Sequence, residues 1–330
     1  MIETSSISII VQGAITPITP TVIKRLRSCF PGAEIIVSTW KNSDLCGIQV
    51  DKIVLSDDPG CVIADPVTNT MNNVNRQLVS TIAGLAHVTC PYTLKTRSDL
   101  IFEDAWFLRY FGKYDAIPSL YFQNRMLICD YYTRNPRVFE TCFHPSDWIL
   151  FGCTEDVYNY YAHTPLMSSE EGEWFRRHKK ESDFFTNYLC RFTPEQYIFL
   201  SFLKQKESIS CECYYDCTPA SIKQTERAFS ECFVVLDYQK QLNMVFPKYN
   251  PNRYMEKHTL FSHWQWKAVY QHYCLKQNSL LWCIYIIRAA GMTVGAKLRN
   301  ILIRWMDQLG IKERVKDLLC RISAHKKTRY

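Results

Sequence analysis

The chain has 330 residues, 47% of them apolar and 14% aromatic, enough for one sizeable core and an appendage. Its formal charge is +7, yet residues 288–330 hold 11 Lys/Arg against 3 Asp/Glu, so the body is near neutral and the tail basic. A neutral body argues against nucleic acid as a partner, and a basic tail points to an anionic surface, membrane lipid first.

The elements predicted in chain order alternate. Ile7 to Val11 is a β-rich run ending at Gln12-Gly13. No basic n-region or cleavage site marks the first ten residues, so they are expected to form a first strand and not a leader. Thr21 to Phe30 has helical spacing, with Val22, Ile23, Leu26 and Phe30 apolar and Lys24, Arg25 and Arg27 outside. Glu34 to Trp40 and Lys52 to Leu55 are the second and third strands, and Asp57-Asp58-Pro59-Gly60 is a turn. Asn72 to Ala86 is a helix, and Tyr92 to Phe102 is a strand broken by Arg97-Ser98-Asp99. This alternation predicts an α/β fold with helices packed on a mostly parallel sheet. Ligands bind such sheets at the carboxyl ends of the strands. Gln12, Thr39, Asp58 and Asp99 are therefore the first polar residues to inspect.

The middle, Asp130 to Gln205, is less regular and aromatic. Thr193-Pro194-Glu195-Gln196 has the pattern of a helix start, with Thr as N-cap, Pro at N1 and Gln at N3. Asn250-Pro251-Asn252 signals a loop, and from His263 to the end the pattern is helical. The expected division is a catalytic domain over 1–262 and a basic helical extension over 263–330. No apolar run reaches the ~18–20 residues of a membrane span; Leu280 to Ile287 comes nearest and stops at Arg288. The fifteen cysteines are scattered, and those in apolar runs, such as Cys29, Cys190 and Cys283, are expected to be reduced and buried. Together these features predict a cytoplasmic protein whose basic C-terminus touches the inner membrane surface. Apolar and basic residues interleave from Leu298 to Met306, as in a helix lying on a leaflet.

Several groups of residues carry candidate chemistry. Asp99, at a strand end, is placed to hold Mg²⁺ or Mn²⁺ against a diphosphate, because hard cations want oxygen ligands; a surface turn with one Asp is the plainer alternative. Arg76, beside Asn75, is a candidate phosphate partner through bidentate pairing, or else a solvated helix residue. His144 and Asp147 flank an entry into an apolar strand at Trp148, an arrangement suited to acceptor binding and general-base work. Glu195 is a second candidate base, although a Glu in a first helical turn is favourable there without any chemistry. Cys211-x-Cys213-x₃-Cys217 lacks the second pair a zinc site needs. His258 is a late candidate metal ligand. There is no Walker A motif, GxGxxG, HExxH or GxSxG, which counts against kinase, dehydrogenase, metalloprotease and serine hydrolase.

An ordered set of segments resembles the WavE lipopolysaccharide synthesis family. The set is IIVQGAI (9–15), FPGAEIIVSTW (30–40), SDDPG (56–60), NNVNRQLVSTIAGL (72–85), YTLKTRSDLIF (92–102), HPSDWILFG (144–152) and PEQYI (194–198). The resemblance implies a GT-A-like, Rossmann-type sheet and a glycosyltransferase moving a sugar from a nucleotide-sugar donor to a glycan or lipid-linked glycan acceptor. It implies donor binding by Gln12, Gly13, Thr39, Asp58, Asn75, Arg76, Lys95, Arg97 and Asp99, and acceptor binding by His144 and Trp148. Asp147 or Glu195 is the expected catalytic carboxylate, removing the proton from the acceptor hydroxyl if the anomeric configuration inverts. Arg97-Ser98-Asp99 occupies the place of the family fold's Asp-x-Asp metal motif, with Arg97 replacing the first carboxylate. Two other readings stay open at this point: a nucleotidyl- or phosphotransferase of sugar activation, and a non-catalytic assembly protein with a degenerate donor site.

Overall fold

The structure, a computed structural model, describes residues 2–66, 69–139, 141–178, 190–247 and 259–308. Its centre is a seven-stranded sheet. Strand β1 (Ile7–Gln12) is buried along its whole length and pairs in parallel with β2 (Glu34–Trp40) on one side and β6 (Tyr92–Arg97) on the other. Continuous apolar runs such as Ile-Ile-Val and Ile-Ile-Val-Ser suit strands covered on both faces. Beyond β2 lies the parallel edge strand β3 (Lys52–Ser56). Beyond β6 come β9 (Leu150–Cys153), β8 (Met126–Cys129) and β10 (Phe233–Leu236). Only β9 runs antiparallel to its neighbours; β8 and β10 return to the direction of the first four strands. The fold is thus mixed α/β with a mostly parallel sheet, as expected.

Helix α1 (Thr19–Cys29) starts at a Pro and buries Val22, Ile23 and Leu26 while its basic residues face outward. Each buried aliphatic of that stripe contributes about 1.5–3 kcal/mol, and a charge at Leu26 would break the docking. Helix α2 (Val74–Leu85) lies against β1 and β2. A Cβ at Gly84 would sit 2.7 Å from Ile10, so the absent side chain is what lets α2 approach this closely. Helix α6 (Pro194–Leu203) begins with the capping box read from sequence: Thr193 accepts from the Gln196 amide, and the Gln196 side chain answers the Thr193 amide.

The predicted strand over Tyr92 to Phe102 divides in two. The main sheet keeps Tyr92–Arg97, and β7 (Ile101–Phe102) leaves it to pair with β11 (Met244–Val245) as a separate antiparallel ribbon. The polar Arg97-Ser98-Asp99 turn ends the ladder, and beyond it Leu100 and Phe102 are buried while Ile101 is half-buried. Helix α7 (Pro219–Cys232) packs against α8 (His263–Tyr273), which also covers β10. The chain divides into compact units at residues 282/283, beyond the expected 262/263, because α8 joins this core. Helix α9 (Leu280–Gln308) carries the pattern onward into the second unit. No described helix is long and apolar enough to cross a membrane. Of the cysteines expected to be buried, Cys190 is, Cys29 is half-buried, and Cys283 is exposed; apolar flanks in a surface helix do not bury a thiol.

Candidate functional site

A cleft of about 720 Å³ opens over the carboxyl ends of β1 and β6. This is where chain connections diverge, β1 leading to β2 on one side and β6 bordering the strands on the other, and such points leave a crevice. Gln12 and Arg97 are register partners at the ends of the two strands and both line the cleft. Gly13 follows with φ +109°, a conformation open to glycine, and turns the chain away from the sheet. The antiparallel β9 begins beside the end of β6, which brings Asp147 and Trp148 to the same wall. The first turn of α2 adds Arg76, and the capped start of α6 adds Thr193 and Glu195.

Of the expected donor residues, Gln12, Gly13, Asp58, Arg76, Lys95, Arg97 and Asp99 line the cleft. Thr39 and Asn75 do not. Thr39 is buried and bonds Ser43 at 2.9 Å. The Asn75 amide accepts from the Met167 backbone N–H at 2.7 Å and donates to its carbonyl at 3.0 Å, so it ties the α2 start to the 167 loop. In a helix Asn75 and Arg76 face about 100° apart, and only the second reaches the cleft. Asp147, Glu195 and Trp148 line it too, while His144 sits behind Glu195, its Nε2 3.7 Å from the carboxylate. His258 lies outside the described residues.

Arg76 forks onto Asp58 with two bonds of 2.8 Å, which hold the Asp58 carboxyl below its usual range. Arg97 forks onto Asp99 at 2.9 and 3.0 Å, and its guanidinium carbon lies 4.5 Å from the centre of the Trp148 ring. Trp148 is only 4% exposed, with Tyr132 stacked on it and Tyr131 and Phe246 against its edges. The ring therefore holds Arg97 in place and offers no open face for a sugar to stack on, contrary to expectation. Lys95 is fully buried and donates to the Asp147 carbonyl; burial pushes its ammonium down to about 8. Burial, with Asp147 adding to it, pushes Glu195 up to about 8. Burial and the nearby Arg134 push His144 down to about 3, so its imidazole is neutral at pH 7. At neutral pH Glu195 therefore keeps its proton.

The Mg²⁺ or Mn²⁺ implied at Asp99 does not fit the donors that the described residues bring there. Both Asp99 oxygens accept from Arg97, and among the described residues no three His, Cys, Asp or Glu side chains group as metal ligands. Within the Cys211-Cys213-Cys217 run, Cys211 donates to the Cys213 carbonyl, and the Cys217 sulfur lies 3.4 Å from that of Cys142. Sequence reasoning missed Ser98, Tyr132, Asn72, Asn73, Gln77 and Thr193 in the cleft wall. Thr193 and Ser98 sat beside residues already singled out. Tyr132 had no local signal: its φ of +69° and its stacking on Trp148 are products of tertiary packing.

Comparison with curated proteins finds no match. The family model described as WavE lipopolysaccharide synthesis matches residues 7–300, spanning every cleft residue named above. The chain belongs to the WavE lipopolysaccharide synthesis family.

Proposed function

We infer that the protein is a glycosyltransferase that moves a sugar from a nucleotide-sugar donor to a lipopolysaccharide, O-antigen or capsule acceptor. One observation carries this reading: two partly exposed guanidinium groups (Arg76, Arg97) and two carboxyl groups (Asp147, Glu195) share one cleft at the strand ends. The cations suit a diphosphate, and a carboxylate suits deprotonation of an attacking hydroxyl. The nucleotide lies near Gln12, Asp58 and Arg76, and the diphosphate lies toward Arg97, above the buried Lys95. The first turns of α2 and α6 both face the cleft, adding the positive ends of two helices.

The acceptor hydroxyl meets the Asp147–Glu195 wall. Burial and the neighbouring Asp147 favour the protonated form of Glu195, which leaves Asp147 as the first candidate base. Negative charge developing on the departing nucleoside diphosphate is met by Arg97, and no step runs through a metal ion. The basic tail and the exposed Leu280, Ile287 and Val294, seven residues apart along α9, support contact with the inner membrane surface where a lipid-linked acceptor is carried.

The test is titration of the purified chain with UDP, GDP, CDP and CMP, followed by turnover of the matching nucleotide sugars on envelope glycolipid. Binding of one nucleotide with release of its diphosphate supports the transferase. Binding without turnover shifts the assignment to a non-catalytic assembly protein. A folded protein that ignores all four nucleotides rejects a nucleotide-sugar site.

A further inference from the structure

The surroundings of Arg97 form a layered column. Asp99 grips the guanidinium from one side with two bonds, and Trp148 lies under it. Tyr132 stacks on Trp148 at 5.5 Å and 18°, and Arg134 lies 5.0 Å from the Tyr132 ring centre. Tyr131 at 4.9 Å and Phe246 at 5.1 Å close the edges of the indole. The Arg97 side chain is 29% exposed toward the cleft, and Asp99 beneath it is 8% exposed. A guanidinium held this way has lost its rotamer freedom before any ligand arrives, so little ordering cost falls on binding.

A divalent cation at Asp99 would have to displace that guanidinium and then sit beside it. The exchange sets like charges together and abandons a bidentate pair, and the described residues contribute no further cluster of ligands to compensate. Asp99 therefore does different work here from a metal ligand: its carboxylate aims Arg97.

We propose that Arg97, oriented by Asp99 and Trp148, supplies the fixed positive charge that holds the donor diphosphate without a divalent cation. This rests on the donor-site reading above. Arg97 touches the diphosphate; Asp99 is a positioning residue.

The test uses the full chain and two probes, the nucleoside diphosphate selected above and inorganic pyrophosphate, titrated in excess EDTA and again with Mn²⁺. Affinity for the nucleoside diphosphate is expected to differ by less than about twofold between the two conditions. Arg97→Gln is expected to weaken both probes about tenfold or more, and Arg97→Lys, which keeps the charge but loses the fork, about fivefold. Asp99→Asn is expected to weaken them about threefold, with no metal requirement appearing. Thermal melting confirms that each variant is folded. The proposal is overturned if EDTA abolishes binding and Mn²⁺ restores it, or if Asp99→Asn abolishes binding while Arg97→Gln does not. It is also overturned if neither probe binds under any condition. Pyrophosphate bound through Arg97 in EDTA, with every nucleotide ignored, would uphold the anion site and reject the nucleotide-sugar reading separately.

Discussion

Arg97 and Arg125 show two uses of the same side chain. Arg125 is wholly buried at the start of β8 and saturated: it donates to the carbonyls of Ser230, Tyr114 and Ile117 and to the carboxylates of Asp115 and Glu231. It stitches the end of α7 to the 114–117 loop. Arg97 pairs with the Asp99 carboxylate, rests on an aromatic ring, and keeps its side chain 29% exposed at the cleft. A charge wholly buried inside the protein is architecture, and a charge exposed at a cleft is available to a ligand. Neither residue type nor pairing with a carboxylate separates the two roles; exposure does.

That contrast breaks most easily at Arg125. Arg125→Ala strands Asp115 and Glu231 and three carbonyls, and is expected to cost about 3–5 kcal/mol in urea denaturation. Diphosphate affinity of the folded fraction should stay unchanged. Arg97→Gln should show the opposite split, with tenfold weaker binding and a stability loss of only about 1 kcal/mol, because Gln still donates to Asp99. A large stability loss at Arg97, or none at Arg125, would erase the distinction.

The neighbouring residues Asn75 and Arg76 sharpen it. Asn75→Ala leaves the Met167 backbone N–H and carbonyl without their partner and should destabilise by about 1–3 kcal/mol without touching nucleotide affinity. Arg76→Ala should do the reverse, weakening nucleotide binding about threefold with little change in melting, since its pair with Asp58 is more than a third exposed.

Glu195 gives the effect that pH alone can read out. Its carboxyl titrates near 8 in the folded chain against an ordinary value of 4.5. Between those values the folded state holds the proton that the unfolded state releases, so stability should fall as pH rises from about 4.5 to about 8. Glu195→Gln mimics the protonated group and should flatten that slope in melting curves taken across this window. Turnover by the variant near pH 7 should persist if Asp147 is the base; its loss would assign the proton transfer to Glu195.

Much of this was legible along the chain. The strands at β1, β2 and β3 and helix α2 fall within two residues of their sequence ranges because continuous apolar runs and 3.6-residue stripes mark local burial. The α6 start was readable to the residue, since a capping box is a local hydrogen-bond pattern. Asp58, Arg76, Arg97, Asp147 and Glu195, chosen at strand ends and helix starts where such folds put ligands, line one cleft. The open face expected of Trp148, the chemistry expected of Asn75 and the metal expected at Asp99 rested on residue type alone, and each meets a partner distant in sequence or a neighbour across a turn.

The sequence by itself determined the alternation of strands and helices, the cleft's location at their ends, and the neutral body with a basic tail, because these depend on periodicity, capping and composition. Only the tertiary structure decided that β9 runs antiparallel, that α8 joins the first unit, and that Asp99 binds an arginine. Those outcomes depend on which distant surfaces bury one another. A carboxylate's role is set by the charge that reaches it first, and in this fold Arg97, held against Trp148 from fifty residues further along the chain, is already there.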